Sequence, residues 1–137
     1  MRKINQTKRL INTAKVLRDR KSELEQAQNE VEYFLDVLND LKTKTIGDSQ
    51  KSLKVARFVQ EFHHFQRLIK RLLQEDNDLH HDIAEDAQEK AMVDTETFGD
   101  VRYFKSEMKD FEKNYKEYKY KFRTFVADFD YLSDKVA

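Results

Sequence analysis

From Val101 onward, positions spaced alternately three and four apart read Val101, Phe104, Met108, Phe111, Tyr115, Tyr118, Phe122, Phe125, Phe129, Leu132 and Val136. All eleven are apolar or aromatic, which is the a/d seam of a heptad repeat and predicts a coiled-coil-like helix from about Thr97 onward. The central segment repeats the pattern with Val55, Phe58, Phe62, Phe65, Ile69, Leu72, Leu79 and Ile83, and only Asp76 breaks it. In the first segment Leu10, Leu17, Leu24, Val31 and Leu38 recur every seven residues. Its second seam, Thr13, Arg20, Ala27, Phe34 and Leu41, is polar in its first half.

Two glycines mark the junctions. Gly47 in KTIGDSQ stands where a left-handed C-terminal cap belongs, with Asp48 or Ser49 placed to accept the first free amides of the next helix. In MVDTETFGD, Asp94, Thr95 or Thr97 are caps for the third helix, with Gly99 in its first turn. Three helices of roughly 40 residues, about 60 Å each at 1.5 Å per residue, follow. Short connections make neighbours antiparallel. The expected fold is therefore all-α: an elongated up-down-up three-helix bundle, forming one domain over residues 1–137. The polar run QEDND, residues 74–78, offers the alternative of a break and a four-helix bundle; the heptad phase crosses it and favours continuity.

Composition supports long helices. The chain has no proline and only two glycines, so it lacks the residues that punctuate short elements. No cysteine is present, which excludes thiol chemistry and Cys-based zinc sites and fits a reducing, cytoplasmic setting. The opening stretch MRKINQTKRLINTAK has charge but no continuous apolar run, so no secretory signal is expected. Charge is unevenly laid out. Residues 2–21 carry eight Lys/Arg against one Asp, whereas residues 75–100 carry ten Asp/Glu against one Lys. In an up-down-up rod these segments share one end. At the other end residues 22–42 are acidic and residues 48–71 basic. Opposite signs meet at both ends, which penalises wrong orientations.

All four histidines lie in EFHHFQRLIKRLLQEDNDLHHDIAED, residues 61–86, with carboxylates near both pairs. The seam takes Phe62 and Phe65, which turns His63 and His64 outward. His81 lies 18 residues beyond His63, about 27 Å along the axis, so the two pairs cannot share an ion. Local chelation by Glu61 with His64, or by His81 with Glu85, has suitable spacing. A di-iron bundle, however, needs two Glu-x-x-His motifs and two further carboxylates drawn from four helices. A solvated helix face is the expected reading, with no metal or other cofactor.

KNYKEYKYKFR, residues 113–123, interleaves bases with aromatics as nucleic-acid surfaces do. Tyr115, Tyr118 and Phe122 are seam positions, and the chain as a whole is neutral. Nucleic-acid and membrane partners are therefore disfavoured. No phosphate loop, nucleophile elbow or acid pair in an apolar pocket is visible. The expected function is a non-enzymatic interaction or scaffold protein with an unidentified protein partner. It is expected to form a homodimer or other homo-oligomer through the third helix, using an uncovered row of Tyr115, Tyr118, Phe122 and Phe125. The alternatives are a helical-bundle metal protein using the histidine segment, or a weak nucleic-acid or anionic-membrane binder.

Overall fold

The computed structural model describes the backbone of residues 2–90 and 93–136 and the side chains of residues 7–89 and 93–129. It contains α1 (Arg2–Lys44), α2 (Ser49–Lys90) and α3 (Thr95–Val136). The three pack around one core, so the all-α three-helix bundle is observed. The 74–78 run is helical within α2, and the four-helix alternative is excluded.

The first connection is closed by the residues expected there, and the second by a contact from Asp86 of α2 that was not expected. Gly47 takes a positive φ of 94°, a conformation that a residue with a Cβ adopts only under strain. The Asp48 carboxylate accepts from the Lys51 amide at 3.1 Å, an N-cap bond. Thr45 is buried, and its amide donates to the Leu41 carbonyl at 3.0 Å. At the second connection the Asp86 carboxylate reaches out of α2, accepting from the Asp94 amide at 3.2 Å and from the Thr97 hydroxyl at 2.8 Å. It thereby fixes where α3 begins.

The seams form the core. Leu17, Leu24, Val31 and Leu38 of α1 meet Val55, Phe62, Phe65, Ile69, Leu72, Leu79 and Ile83 of α2. Val101, Phe104, Met108, Phe111, Tyr115, Phe122 and Phe129 of α3 close it. The side chains of Leu132 and Val136, the last two seam positions, lie outside the described residues. An aromatic layer joins all three helices: the Phe122 ring lies 5.0 Å from Phe34 of α1 and 5.1 Å from Phe62 of α2, centroid to centroid.

Candidate functional site

The histidine segment gathers no metal centre. His63 faces solvent and lies 3.2 Å from the Gln66 side-chain oxygen, His64 is exposed beside Phe65, and Glu61 is half-buried without a histidine partner. His81 and Glu85 approach to 3.4 Å on an exposed face. Among the described residues no three His, Cys, Asp or Glu side chains come together in a way that could hold an ion. His80 departs from the expected solvated face: it is half-buried, with Nε2 3.5 Å from the Asp76 carboxylate one turn earlier. Burial, then the positive charges of Lys21 and Arg18, lowers its pKa.

Asp76 occupies a seam position and is 0% exposed, and neither of its oxygens has a hydrogen-bond donor. Burial raises its pKa to about 6, a rise the charge of Lys21 opposes and that of Glu25 reinforces. On the other side of α2, Glu75 faces Glu107 of α3. The Arg71 guanidinium contacts one oxygen of each, 3.5 Å from Glu75 and 3.2 Å from Glu107. The remaining oxygens, Glu75 Oε2 and Glu107 Oε1, are buried with no other donor among the described residues. Burial and the hydrogen bond to Glu107 raise the Glu75 pKa to about 7. Glu23 is raised for the same reasons, burial first and then Glu112, beside Arg20. The seam pattern flags Asp76; the paired glutamates require knowledge of how α3 sits on α2.

The seam row assigned to self-association is largely covered within the chain, which corrects the expectation that it lies open. Tyr115 is 5% and Phe122 3% exposed, while Tyr118 and Phe125 are half-buried against Phe58. The reason is space. Ala27 is small, so Tyr115 lies over α1 and donates to Glu30 at 3.2 Å, with its hydroxyl 3.4 Å from the Ala27 carbonyl. Phe34 then covers Phe122. Burial and the neighbouring Glu30 push the Tyr115 hydroxyl far up in pKa, and burial raises Tyr118 to about 12.

The surface of α3 is divided by sign. On its α1 side run Arg102, Lys105, Lys109, Lys116, Lys119 and Arg123, spaced three, four or seven apart along about 31 Å of helix. This ridge borders two grooves between α1 and α3, of about 420 and 460 Å3; the second is also lined by Glu23, Glu30 and Glu112, and Glu112 stands between Lys109 and Lys116 on the same line. Tyr120, 73% exposed, lies within it. On the α2 side a groove of about 260 Å3 is lined by Glu75, Asp78, Asp82, Asp100 and Glu107, with Tyr103 and no base. Between α1 and α2 lies a fourth groove, of about 500 Å3, beside Leu35 and Val59. Net charge, which is zero, concealed this division; helical phase applied to charge rather than hydrophobicity would have found it. Comparison of the chain with protein-family models, with curated proteins and with solved structures finds no match.

Proposed function

We propose that the chain is a non-enzymatic interaction module, a helical rod that presents the basic α1–α3 face to an extended anionic partner. One observation carries this reading: of the six bases on the α3 ridge only Lys119 makes an ion pair among the described residues, with Glu30 at 3.3 Å. The other five are exposed cations on one line, which Glu112 alone interrupts among the described positions of that spacing. Such a line attracts a polyanion over a Debye length and releases its counterions on binding. Tyr120 adds a ring face to that surface. The proposal sets the protein in the cytoplasm, where its cysteine-free composition is at home; no described helix is long and apolar enough to cross a membrane.

The test is anisotropy titration of a labelled single-stranded oligonucleotide and of polyglutamate at low and moderate salt. Binding of either polymer that weakens with salt, and that Lys109→Glu with Lys116→Glu and Arg123→Glu abolishes, is the expected result. Failure of both polymers to bind at low salt would reject the proposal. Self-association through α3 is the second reading, favoured by the half-exposed Phe58, Tyr118 and Phe125 on the α2 side. Sedimentation at micromolar concentration decides it, and a strict monomer would reject it.

A further inference from the structure

Polar bridges cross the α1–α3 seam along its middle and are missing near the start of both helices. In its middle, Arg20 lies 2.8 Å from Glu23 and 3.6 Å from Glu112. Further along, Lys119 meets Glu30 and Tyr115 donates to the same carboxylate. Near the start of both helices the pattern changes. Lys8 and Arg9 from α1 and Arg102 and Lys105 from α3 line the groove of about 420 Å3, and no carboxylate among the described residues lines it. None of these four cations makes an ion pair among the described residues.

Four like charges around one opening repel one another, and an anion placed among them turns that repulsion into attraction. The groove is also partly pre-organised. The Arg9 guanidinium lies 3.8 Å above the Phe98 ring, which holds its plane and leaves its N–H edge free to donate. Asn12, one turn from Lys8, adds an amide to the wall. Arginine forks suit the oxygens of phosphate, and the volume exceeds that of a single phosphate while falling within the range of small-ligand pockets. From this we infer that the groove is a binding site for a small, multiply charged phosphate group. The inference rests on reading the α1–α3 face as anion-binding and assigns it a discrete centre. A soluble polyphosphate and a phosphorylated lipid headgroup share the required chemistry.

Calorimetric titration of the full chain with tripolyphosphate, against sulfate at equal ionic strength, tests the site. Tripolyphosphate is expected to bind in preference to sulfate. Arg9→Gln with Arg102→Gln should weaken it roughly tenfold or more, since each lost charged hydrogen bond is large on that scale. Lys54→Gln with Lys70→Gln, exposed on α2 and away from the α1–α3 face, should leave it unchanged. Circular dichroism of both double variants verifies that they fold. Vesicles of phosphatidylcholine with a bisphosphorylated inositol lipid separate the sources: capture that tripolyphosphate displaces identifies the headgroup, and tripolyphosphate binding without capture identifies a soluble ligand. Equal weakening by the two double variants, or no preference over sulfate, would overturn the site. If the oligonucleotide or polyglutamate still binds wild type in that case, the broader reading of the face survives and only the discrete site is lost.

Discussion

At the residue scale Asp76 is the least comfortable side chain of the core: fully buried, and without a donor to either oxygen. Replacing such a group with an apolar one of similar size often stabilises a protein. Asp76→Leu, which completes the seam between Leu72 and Leu79, should raise unfolding free energy by about 1–4 kcal/mol at pH 7.5 in urea titrations. The pH dependence follows from the same layer. Asp76 holds its proton up to about pH 6 in the folded chain against 3.8 ordinarily, and Glu75 up to about 7 against 4.5. Groups raised in this way contribute stability that is full below their unfolded values and is lost as pH rises through the folded ones. His80, lowered below 6.5, works in the opposite direction, its contribution being lost as pH falls. Two carboxyls against one imidazole leave a net decline, so the thermal midpoint should fall between pH 5 and pH 8. Glu75→Gln with Asp76→Asn should flatten that slope. A midpoint that rises over this range would show that these acids are not held protonated.

At the scale of elements, the connections were legible because Gly47 and Asp48 act locally. Gly47→Ala should cost about 1 kcal/mol, since nothing crowds the added Cβ but the positive φ disfavours it. Asp48→Ala should cost about 1 kcal/mol through loss of the N-cap bond to Lys51. Both are measurable by chemical denaturation, and a null effect of Asp48→Ala would mean that water caps α2 equally well. The seams were legible too, because a burial period of three and four leaves its mark on hydrophobicity. The polar half of the second α1 seam was also informative: Arg20 stands there half-buried and bridges to α3. Coverage of the aromatic row was not legible. Counting apolar side chains on α1 misses that the gap above Ala27 is what admits Tyr115, and that Glu30 satisfies its hydroxyl.

Across the whole molecule, the aromatic layer ties the helices into one unit. Phe62 touches Phe34 on α1 and both Tyr118 and Phe122 on α3, with centroids 5.1–5.3 Å apart. Phe62→Ala should therefore destabilise all three helices together, by about 3–5 kcal/mol. Far-ultraviolet circular dichroism and tyrosine fluorescence should keep reporting one coincident transition. Separate transitions would show that α3 unfolds as a unit of its own. The division of charge belongs to this scale as well. Among the described residues the ion pairs that cross between helices are Arg20–Glu112, Arg71–Glu107 and Lys119–Glu30. The opposite charges of α1 and α2 therefore act as a distributed field rather than as bridges. The bases on the α1 side of α3 do not show in the total, because acids elsewhere cancel them.

The buried carboxylate of Asp76 also has a consequence for alignment. Heptad seams repeat, so helices built only of leucine and phenylalanine can slide by seven residues and find nearly equivalent partners. Asp76 removes that degeneracy. In the observed alignment it has Lys21 near enough to ease its charge and His80 beside it. A slip of α2 along α1 that puts Gln28, one heptad on, in the place of Lys21 would deprive it of that charge, and an isolated buried carboxylate costs several kcal/mol. The side chain that weakens the core thus sets the observed alignment of α2 on α1 apart from that slide.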